Sequence, residues 1–237
     1  MSTSPGSAAR SPQAERGEPG SRAGRRPQAE RSLASRNRIL DAAVACLLED
    51  GYARTNTLTI QARAGVSRGR LLHQFPSKDE LLVAAAHHVF TAGVLAGVGD
   101  ELPEARTPGE RIDAVIELLW HSFTQPQFWA ATELWVAART EPSLAEVVRP
   151  AERRLGRAIW ARMDALFGPQ IAAHPMYPAL RQAMFTSMRG VMMSYSFDPR
   201  DPRSEPALAN WKQLARCVLL GDVVNPAAAP RPTSGRP

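Results

Sequence analysis

From residue 39 onward the apolar positions recur with helical spacing. Ile39, Ala43 and Leu47 stand four residues apart, Leu40 widens the stripe and Gly51 follows as a terminator. That spacing predicts a first helix of about ten to fifteen residues. Asn56 is placed to cap a short second helix carrying Ile60 and Ala64, which Gly65 ends. Ser67 can cap a third helix over Arg68 to Phe75, closed by Pro76. Ser77 and Glu80 then have the spacing of a capping box, so a fourth helix is predicted from there to about Ala96. Prolines punctuate the remainder into helices near 108–124, 126–140, 142–167, 176–197 and 206–221. No stretch alternates with period two for long enough to make a strand, and no repeat of roughly 20 to 50 residues is present. The fold class expected is all-α.

The two ends lack this pattern. Residues 1–32 mix Ser, Pro, Gly, Arg, Ala and Gln without apolar periodicity, and residues 225–237 carry Pro226, Pro230, Pro232 and Pro237. Neither buries enough apolar surface to offset the entropy of ordering, so both are expected to be disordered.

Composition narrows the class. Hydrophobic residues are 44% and charged residues 22% of 237, as in a globular chain. The longest apolar runs, such as Leu81 to Ala86, fall far short of the roughly 18 to 20 residues of a membrane helix, so no membrane partner is expected. Before Leu33 there is no Val, Ile, Leu, Phe, Trp or Tyr to form the apolar core of a secretory signal. Cys46 and Cys217 are far apart and offer neither a disulfide framework nor a four-thiolate metal site. A cytoplasmic protein is the expectation.

The net charge of +6 points to a polyanionic partner. Most of the excess lies in residues 1–38, where eight arginines face Glu15, Glu18 and Glu30. A second basic stretch carries more information. From Gly51 to Lys78 there are five cations, Arg54, Arg63, Arg68, Arg70 and Lys78, and no acidic residue. Two short helices separated by Gly65-Val66-Ser67 inside that stretch form a helix-turn-helix, whose second helix can enter a DNA major groove.

At these residues the chain resembles the TetR family of bacterial transcriptional regulators. The matching positions are Ile39, Leu40, Ala42, Ala43, Gly51, Tyr52, Thr55, Ile60, Ala64, Gly65, Val66, Ser67, Gly69, Phe75, Lys78 and Leu81. The resemblance implies that Arg68, Gly69, Arg70, Leu72 and His73 face the groove, with Asn56, Gln74 and Lys78 near phosphates. Ser67 begins that helix at the same surface. The residues themselves agree in part: arginine can bond guanine O6 and N7 in bidentate fashion, and glycine allows close approach. Three positions depart from the family pattern. Leu72 replaces a tyrosine that touches the DNA backbone in many members, Gln61 replaces a small residue between packed helices, and Leu58 stands where a polar residue is common. The arginine-rich arm could reach a minor groove, as homeodomain arms do, or remain a solvated extension.

The resemblance divides the chain into an arm (1–32), a helix-turn-helix domain (33–80), a helical ligand-binding and dimerisation domain (81–224) and a tail (225–237). It implies a homodimer on palindromic double-stranded DNA, most simply a repressor released by a small-molecule effector that moves the fourth helix as a lever. The alternative is a helical small-molecule-binding protein in which DNA binding is secondary or lost. Most large apolar residues of the C-terminal part must be core. A subset, Trp120, Phe128, Trp135, Trp160, Met163, Met184 and Met188, is expected to line a cavity, with His121, Glu133 and Arg139 as polar groups that orient the effector. The surplus of apolar positions on the last two helices, Met184, Met188, Met192, Leu208, Leu214, Val218 and Leu219, predicts the dimer interface there.

Catalytic readings fare worse. Gly65-Val66-Ser67-Arg68-Gly69 matches the nucleophile-elbow pattern, but that motif needs a strand before the serine and a helix precedes this one. The histidines at 73, 87, 88, 121 and 174 include no i, i+4 pair for zinc. No phosphate-binding loop is present. No enzyme activity, cofactor or metal is expected.

Overall fold

A computed structural model describes residues 25–90 and 105–221, and all regular structure among them is helical. The order is α1 (Arg25–Arg54), α2 (Thr57–Ala64), α3 (Arg68–Gln74), α4 (Lys78–Phe90), α5 (Pro108–Phe123), α6 (Pro126–Ala138), α7 (Pro142–Phe167), α8 (Pro169–Ala172), α9 (Tyr177–Ser194) and α10 (Pro206–Leu220), with a 3-10 turn at Pro202–Ser204. The expected all-α class is what the chain adopts. Five helices open on proline at their first position, where a missing N–H costs no helical hydrogen bond. The expected starts at 108, 126, 142 and 206 therefore hold to the residue.

Three expectations change. The first helix begins at Arg25, so residues 25–32, expected to be disordered, are helical. The residues from Gln28 to Ala34 are all exposed, so no apolar period announces this extension. Arg, Gln, Ala and Glu are good helix formers, and propensity on an established helix suffices. At the other end Gly51, with φ of 71° and ψ of 171°, breaks the helix where the terminator was expected. Second, α7 runs through Pro150 without interruption of the element, although that proline can donate nothing to the carbonyl of Glu146. Third, Met184, Met188, Met192 and Leu219, counted toward the dimer surplus, are buried in the protomer's own core. Leu208 and Val218 pack against that core, and only Leu214 of the set is exposed, at 49%. Residues 1–24, 91–96 of the expected fourth helix, and the tail 225–237 lie outside the described residues.

Two cores organise the molecule. One joins Ile39, Ala43 and Leu47 of α1 to Ile60, Leu71, Phe75, Leu81 and Leu82. Ala130 and Leu134 of α6 and Leu144, Val148 and Ala151 of α7 complete it. The other joins α5, the second half of α7, α8, α9 and α10 around Ile112, Ile116, Trp120, Met163, Phe167 and Met188. α6 and α7 thus contribute to both. The helix-turn-helix is packed on the larger helical part rather than hung from it. Complete burial of a side chain such as Ile60 or Leu71 stabilises the fold by about 1.5–3 kcal/mol. Among the described residues no helix is long and apolar enough to cross a membrane.

Candidate nucleic-acid interface and effector cavity

The turn of the helix-turn-helix is built from caps. Asn56 accepts hydrogen bonds at Oδ1 from the amides of Leu58 and Thr59, both at 3.0 Å. Gly65 adopts the left-handed conformation, φ 62° and ψ 41°, that closes α2. Ser67 Oγ accepts from the amide of Arg70 at 3.3 Å and opens α3. Buried Thr55 donates its hydroxyl to the carbonyls of Gly51 (2.7 Å) and Cys46 (3.1 Å), which pins the chain reversal between α1 and α2. Leu71 and Phe75 anchor α3 from below, and the Arg36 guanidinium lies 4.5 Å above the Phe75 ring.

With those two residues turned inward, Ser67, Arg68, Gly69, Arg70, Leu72 and His73 are all exposed along one surface, and Gln74 is half-buried. Asn56 is exposed beside them. Gly69 has nothing within 4 Å of the position a Cβ would take, so its surface is open. Lys78 is placed differently from a free phosphate contact. Its ammonium donates to the carbonyl of Tyr52 at 2.7 Å and lies 3.9 Å over the Tyr52 ring, and burial pulls its pKa down. One of its three donors is thus committed to the end of α1. Sequence reasoning missed the neighbour of α3: Gln28, Arg31 and Ser32 of the α1 extension form an open groove of about 540 Å³ with Gly69, Arg70, His73 and Gln74. The only signal for it was the arginine content of the arm.

A second site lies in the larger helical part. A cavity of about 50 Å³ is walled by Leu119 and Phe123 of α5, Phe128, Ala131 and Trp135 of α6, Leu155 and Ile159 of α7 and Phe185 of α9. The rings pack edge to face, Phe123 to Phe128 at 5.5 Å and Phe128 to Trp135 at 6.2 Å. Into this apolar wall project Glu152 and Arg189. Burial pushes the Glu152 carboxyl up from its ordinary value, with Trp135 and Arg189 opposing the shift. The Arg189 guanidinium lies 4.8 Å from the Trp135 ring and 5.0 Å from Phe185, and its buried Nε has no hydrogen-bond partner.

The family signature described as "Bacterial regulatory proteins, tetR family" matches residues 39–85, the span from the core face of α1 through the helix-turn-helix into α4. The chain belongs to the TetR family. The HTH-type transcriptional regulator CymR of Pseudomonas putida is 34% identical over 133 residues, which cover 54% of this chain and 64% of that protein. The match to CymR therefore spans less than two thirds of that relative's length. A transcriptional regulator from Rhodococcus sp. Rha1 has the same fold, with a TM-score of 0.57 at 22% identity over 80% of this chain and 99% of that one. The Bacillus subtilis transcriptional regulator FadR, in complex with stearoyl-CoA, superimposes with a TM-score of 0.51 at 16% identity, over 78% and 98%.

For this TetR-family chain the sequence-named DNA-facing residues lie together on one surface. Those named for the effector are dispersed. Phe128 and Trp135 line the cavity, while Met163, Met184 and Met188 are closed into the core. Trp120 is also core: its indole donates to the Pro202 carbonyl at 2.7 Å and packs on Trp211 at 5.2 Å. Trp160 stacks on Phe185 behind the cavity wall and carries Arg181 over its other contacts. His121 is exposed and meets Gln125 at 2.9 Å, and Arg139 is exposed at the end of α6. Glu133 is exposed, its Oε2 reaching 3.2 Å from where a Cβ would stand on Gly51. The charged groups that do face the cavity, Glu152 and Arg189, sit in charged runs of α7 and α9 that the sequence alone reads as solvated.

Proposed function

We propose that this chain is a homodimeric, ligand-responsive repressor that binds a palindromic operator in the cytoplasm and is released by a small molecule in the α5–α9 cavity. The observation that carries the reading is the face of α3: Leu71 and Phe75 fix the helix, and Arg68, Gly69, Arg70, Leu72 and His73 all remain free to meet base edges. One such helix reads too few base pairs, and two must lie about 34 Å apart to enter successive major grooves, so a dimer follows. α9 and α10 supply its interface, with exposed Leu214 at the centre. An apolar cavity holding two charged side chains has the character of an effector site, and the similar FadR was solved with stearoyl-CoA.

Selection of bound duplexes from a random pool tests the DNA reading. A palindromic site is expected, bound far more tightly than its scrambled control. Arg70→Ala should relax preference at one base position, by about 1–3 kcal/mol of discrimination. Lys78→Met should weaken every sequence alike and flatten the salt dependence. Equal affinity for selected and scrambled duplexes would favour a small-molecule-binding protein without operator recognition.

A further inference from the structure

We propose that the cavity between α5, α6, α7 and α9 takes a small organic anion with an apolar body, a monocarboxylate whose carboxylate pairs with Arg189. This deepens, and rests on, the reading of the cavity as the effector site.

Three observations carry it. Arg189 is the only base and Glu152 the only acid on the lining, and no salt bridge joins them. Ser122, the remaining polar side chain, already donates to the Leu119 carbonyl at 2.6 Å. The buried Nε–H of Arg189 therefore faces the cavity side of the molecule without an acceptor, and the edge made by Nε and one terminal nitrogen is the geometry that grips a carboxylate through two parallel hydrogen bonds. A cationic ligand is disfavoured for a separate reason. The faces of Trp135 and Phe185 that would hold a cation are already covered by Arg189 itself. Glu152, which burial drives toward its neutral form, leaves the site with a net positive charge to be balanced. The aromatic and aliphatic wall of Phe123, Phe128, Leu155 and Ile159, around about 50 Å³, limits the body to something near one small ring.

The test is calorimetric titration of the full-length chain with benzoate, benzamide and benzylamine, which present one ring with an anionic, a neutral and a cationic head. Benzoate is expected to bind about ten-fold or more tightly than benzamide, and benzylamine least. Arg189→Gln should remove the benzoate advantage while leaving benzamide unchanged, and Glu152→Gln should retain it. The ranking in the unmodified chain stands even where Arg189→Gln fails to fold. Equal binding of benzoate and benzamide, preference for benzylamine lost in Glu152→Gln, or binding of none at millimolar concentration would each overturn the proposal. DNA affinity is the separate readout. Benzoate binding that depends on Arg189 but leaves operator affinity unmoved would uphold the ligand class and defeat the ligand-responsive reading. Release of operator by benzylamine and not benzoate would do the reverse.

Discussion

Ser143, in the first turn of α7, donates its hydroxyl to Asp79 Oδ2 in the first turn of α4 at 3.1 Å. The other carboxylate oxygen of Asp79 accepts from the Tyr52 phenol at 2.7 Å. Three helices thus meet on one carboxylate: the end of α1, the start of α4 and the start of α7. The phenol stays neutral, because burial first and Asp79 second push its pKa far above the ordinary range.

Removal of Asp79 is expected to cost more than removal of either donor. Tyr52→Phe deletes one hydrogen bond, worth about 0.5–1.5 kcal/mol net. Asp79→Ala leaves two donors without an acceptor, one of them on the half-buried Tyr52, for a loss of about 1–3 kcal/mol. Urea unfolding of both variants checks the order; a smaller loss for Asp79→Ala would show that the three helices are held by packing alone.

Gly69 separates stability from recognition. It is an exposed helical glycine with open space at the Cβ position. Gly69→Ala should therefore stabilise the protein by about 0.5–1 kcal/mol, since alanine loses less backbone entropy in a helix. The same methyl would stand between α3 and the bases, so operator affinity should fall. Thermal unfolding and DNA titration of the one variant give the two signs; a more stable variant with unchanged DNA affinity would remove Gly69 from the interface.

The helix-turn-helix was legible because its signals are local. Asn56, Gly65, Ser67 and Pro76 act on their own turns, and a cap reads the same in the sequence as in the fold. The proline-started helices were legible for that reason also. The α1 extension was not, since its exposed residues carry no apolar period. The cavity was hardest. Seven aromatic and methionine side chains compete for one core, and only the packing of α5 against α9 decides that Phe128 and Trp135 border space while Trp120 and Met188 do not. Glu152 and Arg189 sit in helices with many like charges, and what distinguishes them is the rotation of α7 and α9 toward α6.

Glu152 gives a pH dependence of known sign. Its folded pKa is raised by burial, so the folded chain binds this proton more tightly than the unfolded chain. Its contribution is fully present below the unfolded carboxyl pKa and is lost as pH rises through the folded one. Glu152→Gln, which mimics the neutral form, should therefore match the wild type at pH 4.5 and exceed it at pH 8. Unfolding curves at the two values decide; a variant less stable at pH 8 would mean that attraction to Arg189 outweighs burial.

Leu214 is the sharpest probe of the dimer. It is 49% exposed on α10, whereas Trp211, Ala215 and Leu219 of that helix are buried in the protomer. Leu214→Glu should leave the monomer folded and dissociate the dimer, because an unpaired charge in an apolar interface is costly. Sedimentation velocity with circular dichroism reads both. A folded, unchanged dimer would move the interface away from α10.

The route from cavity to DNA runs through α7. Its second half, with Glu152, Leu155 and Ile159, borders the cavity, and its first half, with Leu144, Val148 and Ala151, completes the core of the helix-turn-helix. A ligand that displaces the cavity half must therefore disturb packing beneath α4, and the Ser143 to Asp79 hydrogen bond transmits that shift to the helix that follows α3 directly. A small rigid-body change in the separation of two recognition helices is enough to lower operator affinity. Typical coupling of about 1–3 kcal/mol corresponds to about 5 to 150-fold, and operator must weaken ligand binding by the same factor. Ser143→Ala should reduce that factor while leaving ligand affinity in the absence of DNA unchanged, since Ser143 is remote from the cavity lining. Ligand titrations with and without operator, in both proteins, measure it. Identical ligand affinities in the wild type would mean that no coupling exists, and an unchanged factor in Ser143→Ala would place the transmission in the apolar packing of Leu144 and Val148 instead.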